Sequence, residues 1–186
     1  MKNLVKFLLV FVLALSATLP LSNLTEAAKQ TSYLMNTKKT YTYKQGAASD
    51  KSATSYTLEF GKKEDGYNHW STIPEDSVVE GFGFGEYEKK DGLYLNDDKI
   101  LAFPVKKGKS WKDGNSTYEI RAVNWTLKTP AGTFKNVVEV RETIKGYGYY
   151  TFFYAPNVGL ILRTSKDKFT KGKTITGLTL MELKNK

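Results

Sequence analysis

Past residue 40 the chain alternates apolar and polar positions with a period of two. In Thr54–Phe60, Tyr56, Leu58 and Phe60 fall on one face, while Ser55, Thr57 and Glu59 fall on the other. Residues that alternate in this way point to opposite sides of a pleated strand, so one face is buried and one is wet. The same reading predicts strands over Tyr41–Lys44, Tyr67–Ile73, Val78–Glu88, Leu93–Asn96 and Lys99–Phe103. It predicts further strands over Thr117–Lys128, Phe134–Ile144, Tyr149–Tyr154, Val158–Arg163 and Thr174–Leu183. Within Thr117–Lys128 the phase changes: Tyr118 and Ile120 share one parity, and Val123, Trp125 and Leu127 share the other. A β-bulge near Ala122 would bring both sets to a single core face. Three Asp-Gly pairs, Asp65-Gly66, Asp91-Gly92 and Asp113-Gly114, mark tight hairpins. No stretch in this region keeps a helical period over three turns. The pattern predicts an all-β (or mainly β) domain over residues 40–186, an antiparallel meander of about eight to ten strands curled into a barrel or half-barrel. Residues 29–39 are polar and read as a loose lead-in.

The N-terminus is of a different kind. Lys2 and Lys6 precede the apolar run Phe7–Leu15, which is too short for a transmembrane helix and has the length of a signal-peptide core. Thr25-Glu26-Ala27 places small residues at −3 and −1, so cleavage is expected after Ala27, or failing that after Ala28, with residues 1–28 as the signal peptide. About 158 of the 186 residues then remain, the usual size of one domain, and no transmembrane segment is left in them. The chain has no cysteine, so it offers no disulfide and no lipid-anchoring thiol. An exported domain without disulfides points to a bacterium, and the Asn-x-Thr triplets at Asn115 and Asn124 are then expected to carry no glycan.

Charge narrows the partners. The chain is formally +9, and removing Lys2, Lys6 and Glu26 leaves 26 Lys+Arg against 18 Asp+Glu, a net of +8. Such a field favours anionic surroundings in the envelope. The lysines are dispersed as pairs such as Lys38-Lys39 and Lys106-Lys107, unlike the clustered cations of a nucleic-acid binder, so nucleic acid is not the expected partner.

The second half carries a motif series: Gly108-Lys109-Ser110-Trp111, then Thr129-Pro130-Ala131-Gly132-Thr133-Phe134-Lys135-Asn136-Val137-Val138, then Tyr154-Ala155-Pro156-Asn157-Val158-Gly159-Leu160. It resembles a group of exported bacterial β-proteins with "GktW", "TPaGtFknvvev" and "YApgvGL" motifs in that order. Their architecture is similar to the curved half-barrel of the LolA-like lipoprotein carriers, which hold a hydrophobic ligand. The resemblance implies a fold and a binding role; it supplies no catalytic residue. This chain lacks the anchoring cysteine of many members of the group.

The residues offer little catalytic chemistry. His69 is the only histidine and reads as an ordinary strand residue, without a Gly-x-Ser-x-Gly elbow or a cysteine nucleophile elsewhere. One histidine and no cysteine fall short of a usual zinc set, and no metal or other cofactor is expected. Asn96-Asp97-Asp98 lacks the spacing of a calcium loop and reads as solvated turn charges. Gly81-Phe82-Gly83-Phe84-Gly85 is flanked by β patterns rather than a helix, so it is not a phosphate loop. It puts Phe82 and Phe84 on one face and leaves the other bare for close approach, as core packing or as the floor of a groove.

The aromatics are the most suggestive feature. Twelve Tyr, ten Phe and three Trp make 13% of the chain, densest in Gly146–Tyr154. One face there serves the core. The other, Tyr150, Phe152 and Tyr154, must be covered by a further layer, line a cavity or form an exposed patch. The leading functional expectation is a secreted, non-enzymatic binding protein at the bacterial envelope, with Phe82, Phe84, Tyr150, Phe152 and Tyr154 as ligand-binding residues. Its ligand would be hydrophobic or anionic. The alternatives are an inhibitor or protein-interaction module for a secreted enzyme, with a secreted protein as partner, and a small hydrolase using carboxylates. An apolar cavity, a flat aromatic patch and a cleft with two facing carboxylates would separate the three.

Overall fold

The computed structural model describes residues 30–73 and 83–186. The expected signal peptide, Phe82, and the first part of the strand expected from Val78 lie outside the described residues.

Twelve strands form one antiparallel sheet: β1 (Lys39–Lys44), β2 (Ser55–Glu64), β3 (Tyr67–Ile73), β4 (Gly83–Lys89), β5 (Gly92–Leu95) and β6 (Asp98–Ala102), followed by β7 (Ser110–Asp113), β8 (Ser116–Thr129), β9 (Gly132–Ile144), β10 (Gly148–Ala155), β11 (Gly159–Asp167) and β12 (Ile175–Asn185). No helix occurs among the described residues. The order across the sheet is β6-β5-β4-β3-β2-β1-β12-β11-β10-β9-β8-β7. Chain neighbours are therefore sheet neighbours except at β6 and β7, which end the sheet, and the one long-range pairing is β1 with β12. That pairing joins two six-strand meanders into a nearly closed barrel.

β6 and β7 are the free edges, and side chains bridge them where a ladder is missing. Asp113 accepts a hydrogen bond from the Lys99 backbone N–H at 2.8 Å, and the Trp111 indole donates to the Lys99 carbonyl at 2.8 Å. Exposed edges invite pairing with other chains, and these bonds occupy part of the β6 edge. β7 was not anticipated. Its four residues are too few for alternation to show, and Trp111 alone signalled burial.

The expected hairpins fall at all three Asp-Gly pairs. Asp65 and Gly66 adopt φ of 51° and 88°, the mirror-image turn that matches strand twist. At the second pair the turn is Lys90-Asp91, and Gly92 opens β5. At the third, Asp113 ends β7 and Gly114 begins the turn.

The bulge expected near Ala122 is present, as a series of register shifts between Ile120 and Leu127 with Asn124 at φ 61°. Ile120 is fully buried, and Val123 and Leu127 pack onto core clusters. Trp125, expected on the same face, is instead turned outward and 47% exposed. Several shifts in close succession rotate the backbone further than a single bulge would, and they leave Trp125 on the outer side of the turn.

The lead-in is not loose. Tyr33 and Met35 are each 6% exposed and belong to the two hydrophobic clusters of the core. Residues 30–38 form a strap at the end of the barrel where β1 begins. Its backbone N–H groups donate to carboxylates inside the barrel, Tyr33 to Glu88 at 2.6 Å and Met35 to Glu86 at 3.0 Å. The Ser32 carbonyl accepts from Asn157 in the β10–β11 turn at 2.9 Å. Burying backbone without such partners would be costly, so these bonds allow an irregular segment to sit in a core.

Candidate functional site

The strands that carry the expected aromatics meet around a cavity of about 330 Å³ inside the barrel. Phe84 enters from β4, Leu93 and Leu95 from β5, Ile100 from β6, Phe152 and Tyr154 from β10, and Leu178 from β12. Met35 of the strap closes one side. The cross-strand register explains the convergence. Phe152 is opposite Val140 on β9 and Arg163 on β11, and Arg163 is opposite Leu178 on β12. Residues directly opposite in an antiparallel pair share a face, so Phe152, Arg163 and Leu178 line one inner wall, with Val140 packed beside them.

Of the five residues expected to bind ligand, Phe84, Phe152 and Tyr154 line this cavity. Tyr150 does not; its ring lies 6.4 Å from that of Phe152 and carries the aromatic row outward. Phe82 lies outside the described residues. The bare face of the glycine run is also filled: a Cβ on Gly85 would come within 2.8 Å of the Tyr67 ring, so only glycine admits that ring on the outer side of β4.

Two polar groups missed in the sequence share the cavity. Glu86 is 3% exposed, and its Oε1 accepts hydrogen bonds from the Trp70 indole at 2.9 Å and the Met35 N–H at 3.0 Å. Burial pushes this carboxyl up to about 8, against the opposing pull of those two donors, and the charge of Glu88 adds to the rise. Arg163 is the second. It is half-buried, with its guanidinium over Gly177, and no carboxylate lies within ion-pair distance of it among the described residues. Burial raises the Tyr56 and Tyr154 hydroxyls, and Arg163 opposes the rise at both. At neutral pH the wall thus combines a largely protonated carboxyl with an uncompensated cation. Neither was legible beforehand, because a lone Glu or Arg in a strand looks like any wet-face charge.

The other candidates lie elsewhere. His69 alternates with the buried Asn68 and Trp70 and therefore faces outward, beside Tyr67. Replacing it with Gln is expected to leave the protein's activity largely intact, and a loss of more than about a hundredfold with unchanged stability would refute this. Asn96 and Asp97 form the two-residue β5–β6 turn, and the Asp97 carboxylate accepts from the Tyr67 and Tyr87 hydroxyls. Glu86 and Glu88, two apart on one strand, do share the inner face, and both hold N–H groups of the strap.

No family model matches the chain, and no curated protein matches it. Two crystal structures share its fold. One is of a protein described as a lipoprotein from Parabacteroides distasonis, with a TM-score of 0.52 and 15% identity, covering 83% of this chain and 99% of that one. The other is of a protein from Bacteroides fragilis described as exported and as having a YmcC-like fold. Its TM-score is 0.50 and its identity 13%, over 83% of this chain and 100% of that one. The chain is therefore similar in fold to nearly all of both neighbours, one of which is described as having a YmcC-like fold. At this identity the likeness is one of architecture.

Proposed function

We propose that this chain is an exported, non-enzymatic binding protein of the bacterial envelope that holds a small amphiphile with an acidic head group. Residues 1–28 would be removed on export, leaving the strap and the β domain. The observation that carries this reading is the apolar cavity with Arg163 unpaired at its wall. Its size falls at the lower end of ordinary ligand sites, which are mostly apolar with a few placed polar groups. Burying roughly 200 Å² of ligand surface there gains about 5 kcal/mol before the costs of association. A charge-assisted hydrogen bond to a guanidinium adds about 1.5–3 kcal/mol. No carboxylate among the described residues forms an ion pair with Arg163, which leaves it free to meet an anion. The carrier-like motif series and the exported description of the Bacteroides fragilis neighbour support the same reading.

Titration with a fluorescent fatty acid tests it. Wild type is expected to take up the probe, and Phe152→Ala to weaken uptake more than it lowers the melting temperature. Arg163→Gln is expected to weaken fatty acid binding by about tenfold to a hundredfold while changing binding of the matching alcohol little. Absence of uptake by the wild type, or equal losses for acid and alcohol in Arg163→Gln, would overturn the assignment.

A second reading has one observation in its favour. On the outer face of β3–β5, Tyr67 packs edge-on against Tyr87 at 4.6 Å, and Tyr87 stacks on Tyr94 at 4.9 Å. Such a tyrosine row suits a protein-interaction surface. Lys89 lies over Tyr87 and Tyr94, and Asp91 and Asp97 take the hydroxyls, so much of its binding capacity is already used within the chain.

A further inference from the structure

Three large hydrophobic side chains are exposed among the described residues, and two of them belong to one hairpin end: Phe169, at 69%, lies in the loop of residues 168–174 between β11 and β12, and Ile175, at 49%, opens β12 directly after it. The surrounding charge is one-sided. Lys166, Lys168, Lys171 and Lys173 come from this hairpin, and Lys145 from the adjacent β9–β10 turn. None has a carboxylate within ion-pair distance among the described residues. The acid beside the loop, Asp167 at the end of β11, accepts the N–H groups of Phe169 and Thr170 at 2.7 and 3.0 Å. It therefore shapes the loop as well as offsetting one of its charges.

The tip is held in this form. The Lys168 N–H donates to the Tyr147 carbonyl at 3.1 Å, and the Phe169 ring packs edge-on against Tyr147 at 5.6 Å. The Lys168 ammonium lies 5.1 Å from the Phe169 ring centre. An aromatic ring is thus presented to solvent from a lysine-rich loop, with one lysine ammonium beside it. Apolar side chains that insert below head groups, with lysines that attract acidic ones, are the combination an anionic membrane surface recognises.

We propose that the β11–β12 tip is a docking surface for an anionic lipid bilayer, with Phe169 as the inserted side chain and the five lysines as its electrostatic collar. The surface has a direct connection inward. Tyr147, Tyr150, Phe152 and Tyr154 follow one another at ring separations of 6.3, 6.4 and 6.3 Å, from the tip to the cavity wall. Docking by this end would set the barrel's aromatic row at the membrane. The docking itself does not depend on the cavity having a ligand.

Sedimentation with vesicles tests the surface. The mature protein is expected to bind vesicles of four parts phosphatidylcholine to one part phosphatidylglycerol, and not vesicles of phosphatidylcholine alone. Phe169→Ala should reduce that binding about tenfold without moving the melting temperature, since the side chain is mostly exposed. Lys168→Glu with Lys171→Glu should abolish it, and salt should weaken it in the wild type. Two results would overturn the proposal. One is failure to bind the anionic vesicles; the other is binding that Phe169→Ala leaves unchanged and that soluble polyphosphate removes equally well, as for a general polyanion site. Loss of vesicle binding in Phe169→Ala with fatty acid uptake intact separates this surface from the cavity reading. Phe152→Ala should show the reverse.

Discussion

Trp70→Ala is expected to destabilise the domain by about 3–5 kcal/mol, the range for removing a buried aromatic from a well-packed core. Trp70 is 1% exposed and sits edge-on to Tyr41 at 5.4 Å and to Phe60 at 5.8 Å. It ties β3 to β1 and β2 through ring contacts, and to β4 through its indole bond to Glu86. Its removal opens a void beside the strap and also deprives a buried carboxyl of one of its two donors. Trp70→Phe separates the two effects, because it keeps most of the ring and loses the donor; its cost should be nearer 1–2 kcal/mol. For a domain of this size the alanine variant should melt roughly 10–20 °C below wild type. A shift of under about 3 °C in a thermal melt would show that Trp70 is not the keystone its burial indicates.

The parts of this fold that were legible are those set by local alternation. Tyr56, Leu58 and Phe60 announced one face of β2 because each strand residue reports its own side, and the phase change after Ile120 announced the bulges for the same reason. What was hidden is what depends on more than one strand. Nothing local distinguishes Glu86 from Glu88 or from a solvent-facing acid; their burial follows from the strap lying against β4, a contact over 51 residues of sequence for Met35 and Glu86. The strap itself looked polar because Gln30, Thr31, Ser32, Asn36, Thr37 and Lys38 outnumber Tyr33, Leu34 and Met35. Apolar contacts of Tyr33, Leu34 and Met35 and backbone bonds to Glu86, Glu88 and Asn157 dock it. Strand β7 was hidden by brevity, and the outward turn of Trp125 by the number of bulges that precede it.

The same separation applies to the site. Alternation placed Phe152 and Tyr154 together and left their role open among layer, cavity and patch. The pairing of β10 with β11 sets Arg163 opposite Phe152, and both line the cavity. A phenylalanine and an arginine eleven positions apart carry no shared signal in the sequence. The register, one residue wide, makes them neighbours.

Stability is expected to fall as pH rises from about 5 to about 8, and Glu86 is the group responsible. Its carboxyl titrates at the ordinary value of 4.5 when unfolded and at about 8 when folded. Below 4.5 both states hold the proton and the residue exerts no pH effect. Between the two values the folded state binds more protons than the unfolded state, so each rise of one pH unit removes about 1.4 kcal/mol. Above about 8 the loss is complete, and it amounts to several kcal/mol. The charged and titratable groups around Glu86 do not reverse this sign. Glu88 raises its pKa further, while Tyr41 and Tyr43, both shifted upward by burial, remain neutral across the window. Asp50, Glu64 and Asp91 are held below their ordinary values and titrate under it. Urea titrations at pH 5, 6.5 and 8 should therefore show the midpoint falling by roughly 1–2 M. Glu86→Gln keeps an oxygen to accept from Trp70 and Met35 and cannot ionise. It should flatten the dependence and exceed wild type in stability at pH 8, while matching it near pH 5. A variant whose midpoint still tracked pH as steeply as wild type would place the buried proton on some other group.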